Sequence, residues 1–203
     1  GAAGSAGMTG VAGTAAMAGR SAAGSGAAGT GAAGAAASGE TGRMVGMTAA
    51  HNAVRARLMN PVPNPPLPPL TWSTELAAIA QAYATKLASS GDCLNLVHSM
   101  DNDLGENLSG NTGSMDNPTA VVDGWAEEEK CYTFGVYKRA DSCDMSCTDQ
   151  LHASGCGHYT QLVWRNTSQV GCGMATCGSG RNGGEVWVCN YKEAGNWVGE
   201  KVY

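Results

Sequence analysis

The segment GHYTQLVW, residues 157–164, sets a histidine ahead of an aromatic residue, two polar residues and an apolar run that ends in tryptophan. Periodicity leaves residues 158–166 open between a short helix and a strand, but the apolar run marks the segment as interior. His158 therefore heads a stretch that is otherwise built for burial. Three readings are open to it: a metal ligand, a catalytic base, or a histidine packed in the core.

Two runs follow, residues 170–177 and 185–191, joined by the turn-rich GSGRNGGE. They predict two paired strands. A hairpin centred near residue 181 sets Cys172 about opposite Cys189, where a cross-strand bridge fits. Cys177 is five residues from Cys172, so it falls on the other sheet face and needs a distant partner. Toward the N-terminus, Met47, Ala50, Val54 and Leu58 recur at helical spacing over residues 47–59. Pro61 and PVPNPPLPP (61–69) end that helix and force an extended connection. A second helix opens at Ser73 or Thr74, carries Glu75 in its first turn, and runs through Leu76, Ile79, Ala80, Tyr83 and Leu87 to Gly91. Residues 91–116 are rich in Gly, Asn, Asp and Ser and read as one long loop of the kind that carries function. Asn117 caps a third helix with Pro118 at its first position. Residues 131–157 hold four Cys and little periodicity, which predicts an irregular, bridge-stapled segment. Helices covering a short antiparallel sheet give an α+β fold class, a layered α-β-α domain.

Residues 1–42 are different in kind. They contain 16 Ala and 13 Gly, no aromatic residue and no Cys, and their only formal charges are Arg20 and Glu40. Such a stretch buries too little side chain to offset its ordering entropy, and it reads as a disordered tether. It has neither the basic start nor the apolar block of a signal peptide, and glycines interrupt every apolar run, so it does not span a membrane. Residues 43–203 match one ordinary domain. All eight Cys lie there. The even number predicts four bridges, an oxidising extracellular or cell-surface location and a mature chain whose signal peptide has been removed. Cys143-x3-Cys147 allows a zinc site, but no second C-x2-C or H-x3-5-H pair supports it. Net charge is −5 with no basic stripe, which argues against nucleic acid as a partner.

Four side chains stand out as candidates for chemistry. The third helix, PTAVVDGWAEEEK, has Val121, Val122 and Trp125 on its apolar side. At about 100° per residue Glu127 turns away from that side, while Glu128 and Glu129 lie near its edges, and periodicity does not choose between them. The long loop contributes His98 and Glu106, and each alone reads as a surface residue. Two imidazoles and two carboxylates, counting His158 and Glu128, make a competent divalent-metal site and also a competent acid–base site. There is no H-E-x-x-H and no G-x-S-x-G.

Several ordered segments resemble one family. GHYTQLVWRNT (157–167) and VWVCNYKEAGNW (186–197) match the two signature segments of the CAP superfamily, which comprises the cysteine-rich secretory proteins, antigen 5 and the pathogenesis-related 1 proteins. HNAVRA, PPLTWSTELAAIAQAYA, HSMDNDLGENL, GWAEEEKCY and GNWVGEKVY extend the resemblance over residues 46–203. It implies a three-layer α-β-α sandwich with a central cleft where His98, Glu106, Glu128 and His158 gather. The family's W-x-x-E pattern starts at Trp125 and selects Glu128. The resemblance also implies that His98 and His158 bind a divalent cation, zinc first, with Glu106 and Glu128 orienting them. His51 is structural in the family, and His152 has no counterpart. The implied bridges are Cys93–Cys177, Cys172–Cys189, Cys147–Cys156 and Cys131–Cys143. Three departures are the Glu193 found where the family has Pro, a longer NPVPNPPLPP stretch, and a wider spacing from His98 to Glu106.

Three functions are compatible with this. The first is a secreted, monomeric, non-catalytic protein whose cleft takes a cation and a small hydrophobic ligand of sterol or lipid type, or an extracellular partner. The second is a surface-displayed interaction module whose tetrad is structural. The third is a hydrolase, protease-like, that uses the His/Glu set with Ser99 beside His98; nothing supplies an oxyanion hole.

Overall fold

One strand, Gly184–Lys192, is buried along its whole length except at Lys192. In a computed structural model it forms the third strand of a four-stranded sheet, and the structure describes residues 39–99, 103–113, 117–144, 155–178 and 183–203. In chain order the strands are β1 (Thr71–Trp72), β2 (Gly105–Asn111), β3 (Gln169–Cys177) and β4 (Gly184–Lys192), arranged β1-β3-β4-β2. β4 is antiparallel to both β3 and β2, and β1 runs parallel to β3. The helices are α1 (Met47–Ala56), α2 (Thr74–Ala88), α3 (Pro118–Ala126) and α4 (Gly157–Leu162). α2 lies against β3 and β4, where Ala80, Ala84 and Ala88 meet Leu108, Val186 and Val188. α1, α3 and α4 pack together beyond the other face, around Met47, Val121, Trp125, Leu162, Trp187, Cys189 and Tyr191. Alternate residues of β4 thus serve two cores, and the domain is a three-layer α-β-α sandwich.

Local chemistry explains most element ends. Ser73 caps α2, its hydroxyl accepting from Leu76 N at 3.3 Å. Asn117 caps α3 by accepting from Ala120 N at 3.1 Å, with Pro118 at the first helical position. Residues 39–42, read from sequence as part of the Gly/Ala-rich segment, hold contacts with the folded part. The Glu40 carboxylate accepts from Gly46 N at 2.8 Å and Thr48 N at 2.6 Å, at the start of α1. The remainder of the expected tether, residues 1–38, lies outside the described residues, as do His152, Cys147 and the centre of the β3–β4 turn.

Three expectations are corrected. First, residues 91–116 contain a strand, β2. Its sequence, GENLSGN, has low strand propensity because packing demands small residues there. A Cβ on Gly110 would run into the Cys93 carbonyl, and one on Gly105 would run into the Gln161 amide. Second, the acidic end of the third helix is not α-helical: α3 stops at Ala126 and Glu127–Cys131 is a tighter 3-10 turn. Third, Cys143 bridges Cys156, so neither Cys131–Cys143 nor Cys147–Cys156 forms. Tyr132 and Cys143 pair as an isolated β-bridge, which carries Cys143 back beside the start of α4. Cys131 is also disulfide-bonded. Cys93 is joined to Cys177 and Cys172 to Cys189, the pairs the resemblance implies, and Cys172 and Cys189 are direct neighbours in register.

His51 sits in the centre of this packing with no solvent exposure. Its Nδ1–H donates to Met47 O at 2.8 Å, and its Nε2 accepts from the Tyr191 hydroxyl at 2.9 Å. Desolvation outweighs the hydrogen bond to Met47 and lowers its pKa from 6.5 to about 4. Between those values the unfolded chain binds a proton that the folded chain refuses, so stability rises with pH across the window and is lost on acidification. Urea denaturation should show wild type losing about 3 kcal/mol between pH 6.5 and pH 4 from this group. His51→Gln should be less stable near neutral pH, lack that part of the slope, and so fall behind wild type by less as pH drops.

Candidate functional site

α4 is six residues long, and its first-turn amides have no partners within the helix. One is satisfied from outside: Glu128 Oε2 accepts from Tyr159 N at 2.9 Å. The other oxygen of the same carboxylate accepts from His158 Nδ1 at 2.6 Å. The 3-10 turn aims Glu128 inward, leaving it 2% exposed, while Glu127 is exposed and Glu129 half-buried. His158 is fixed on further sides. The Trp125 indole stacks on its ring at 6.2 Å, and the Asn107 amide donates to its carbonyl at 3.2 Å. At the other end of α4, the buried Arg55 donates through Nη1 to the carbonyls of Leu162 and Trp164, both at 2.9 Å. Burial, then the nearby Arg165 charge, lowers the Arg55 guanidinium to about 10.

His98 and Glu106 form the second pair. His98 Nδ1 donates to Glu106 Oε1 at 2.8 Å, and Ser99 N donates to the same oxygen at 2.9 Å. Burial pushes the Glu106 carboxyl up, but the bonds from His98 and Ser99 outweigh it and hold it below the usual carboxylate range. Its second oxygen, Oε2, is buried and has no hydrogen-bond partner. The neighbouring Asn107 faces α4, so Glu106 projects from the opposite side of β2, the side of Leu108 and Val188. The structure thus joins His98 to Glu106 and His158 to Glu128 as two carboxylate–imidazole pairs, with the β2 backbone between them. A zinc site takes three or four protein donors. Among the described residues no three His, Cys, Asp or Glu side chains are gathered to hold a metal ion.

Glu106 lines a hollow of about 630 Å³ at the start of β2, together with His98, Leu104, Arg139, Gln161 and residues 194–198. Sequence reasoning missed what shapes this hollow. Gln161 Oε1 accepts from Gly195 N at 2.9 Å and Gln161 Nε2 donates to Thr167 Oγ1 at 3.1 Å. Asn196, held at φ +62°, accepts from Thr160 Oγ1 at 2.6 Å and donates to Gly157 O at 2.9 Å. These two amides bind the 194–197 segment to α4 and leave Trp197 and Val198 standing 51% and 60% exposed at the hollow. The signal in the sequence was the run Gly195-Asn196-Trp197, a left-handed-tolerant residue between a glycine and an aromatic ring.

Both pairs are testable by stability. Glu128→Ala strands a buried amide and a partly buried imidazole, and should cost about 3 kcal/mol in chemical denaturation. Glu106→Ala releases a loop whose histidine is largely exposed and should cost about 1 kcal/mol.

Residues 48–191 match the sequence model of the cysteine-rich secretory protein family, CAP. The chain is 40% identical over 154 residues to pathogenesis-related protein 1A of Nicotiana tabacum, covering 76% of this chain and 77% of that one. It is 34% identical over 167 residues to peptidase inhibitor 15 of Xenopus laevis, covering 79% of this chain and 61% of that one. Among solved structures, Schistosoma mansoni venom allergen-like protein 4 superposes with a TM-score of 0.52 at 27% identity, over 78% of this chain and 92% of that one. The fold, the disulfides and these matches together make the chain a member of the CAP family of cysteine-rich secretory proteins.

Proposed function

We propose that the protein is an extracellular, non-catalytic binding protein that takes a small, largely apolar ligand in the hollow beside Glu106. The observation that carries this reading is Trp197. A tryptophan left half exposed on the edge of a concave site is an anchor for an apolar body, and the hollow has the volume of a small-molecule site. Leu104 and Val198 add apolar surface. The unpartnered Oε2 of Glu106 favours a ligand that brings a hydrogen-bond donor, such as the hydroxyl of a sterol-type molecule. The bridges Cys93–Cys177, Cys143–Cys156 and Cys172–Cys189 support an oxidising compartment, and no helix among the described residues is long and apolar enough to cross a membrane.

A protein partner is the second reading. Relatives named as peptidase inhibitors favour it, as do the exposed Leu94, Leu96 and Val97. Zinc is supported by one feature: each histidine gives Nδ1 to a carboxylate, which turns Nε2 away and orients it as in zinc-bound histidines. Against it, no three His, Cys, Asp or Glu side chains among the described residues are gathered to hold an ion. The hydrolase reading would take the Ser99 hydroxyl, which hydrogen-bonds the Glu106 carboxylate, as nucleophile; Glu106 Oε1 already accepts from Ser99 N and His98 Nδ1, and this reading is placed third.

A fluorescent sterol titrated into the purified protein should bind saturably, and Trp197→Ala should weaken binding about tenfold, equivalent to roughly 1.4 kcal/mol. Equal binding by both proteins, or none by either, would remove the hollow from the account. Zinc in the same titration should leave sterol binding unchanged.

A further inference from the structure

We infer that Asn166 is an N-glycosylation site and that the fold reserves this role to it alone. The chain contains three Asn-x-Ser/Thr triplets: Asn107-Leu108-Ser109, Asn117-Pro118-Thr119 and Asn166-Thr167-Ser168. Proline in the middle position bars the second. Burial separates the other two. Asn107 is 1% exposed in β2, and its Nδ2, the atom that would carry the sugar, donates to His158 O at 3.2 Å. A glycan there has no space between β2 and α4. Asn166 is exposed in the turn between α4 and β3, which is closed by Thr167 N donating to Trp164 O at 3.3 Å. No hydrogen bond or ion pair among the described residues engages its side chain. The turn is also firmly based. Thr167 Oγ1 donates to Glu193 O at 2.8 Å, and Ser168 Oγ lies 3.3 Å from Glu193 Oε2. Glu193 precedes Ala194, which lines the hollow, so the glycan stands at the same end of the sheet as the proposed ligand site.

The donor is a polyprenyl-diphosphate-linked oligosaccharide. Asn166 Nδ2 forms a bond to the anomeric carbon of its first sugar and loses one proton. The bond from that carbon to the diphosphate oxygen breaks, and the polyprenyl diphosphate leaves with the electron pair. This inference rests on the extracellular part of the proposed function and not on the hollow.

The test is to secrete the full chain behind a host signal peptide from eukaryotic cells and to measure intact mass before and after peptide N-glycosidase. Wild type and Ser109→Ala should carry one glycan, removed by the enzyme with conversion of Asn166 to aspartate. Asn166→Gln and Ser168→Ala should be secreted at the bare mass. Secreted wild type without a glycan, or a glycan retained in Asn166→Gln, would overturn the inference while leaving ligand binding untouched.

Discussion

A carboxylate removed from water must find charged or hydrogen-bonded partners, and the way Glu128 does so organises this end of the molecule. Its two oxygens divide their work, one holding the His158 imidazole and the other the Tyr159 amide. The second contact stands in for a helix cap at the start of a six-residue helix, which cannot satisfy its own first amides. The 3-10 turn after Ala126 makes this possible by swinging one acid of three inward. Arg55 does the complementary task at the other end, where its guanidinium meets the carbonyl of Leu162, the last residue of α4, and that of Trp164 just beyond it. A helix too short to be stable alone is thus held at both termini by opposite charges.

The hollow follows from α4 being fixed. Gln161 and Asn196 reach from one element to the other through paired amide contacts, so the 194–197 segment inherits the position of the helix. The opposite side is set by β2, where Gly105 lets the Gln161 side chain approach the strand. The histidine pairs then differ in character. His158 is 30% exposed, over a fully buried acid, whereas His98 is 65% exposed and belongs to a loop. One pair supports the scaffold, and the other lines the hollow.

Much of the fold was legible because it follows from periodicity and caps. Ser73, Asn117 and Pro118 marked helix starts, and the two β-runs with Cys172 and Cys189 gave the hairpin its register. β2 was not legible, since the strand is made of residues chosen for close approach and not for strand propensity. Glu128 could not be separated from Glu129 by helical angles, because the segment is not an α-helix; the family pattern from Trp125 was what singled it out. Bridge assignment failed at Cys143 and Cys156, where spacing within an irregular segment carries no directional information. Gln161 and Asn196 escaped notice because polar amides have no periodic signature, and only their partners reveal their role.

Glu106 and Glu128 serve two separate pairs on either side of β2. A double-mutant cycle on unfolding free energy, with Glu106→Ala, Glu128→Ala and the double variant, tests it directly. Two independent pairs give additivity within about 0.5 kcal/mol. A coupling of more than about 1 kcal/mol, in either sign, would mean that the two acids act on one shared site and would contradict it.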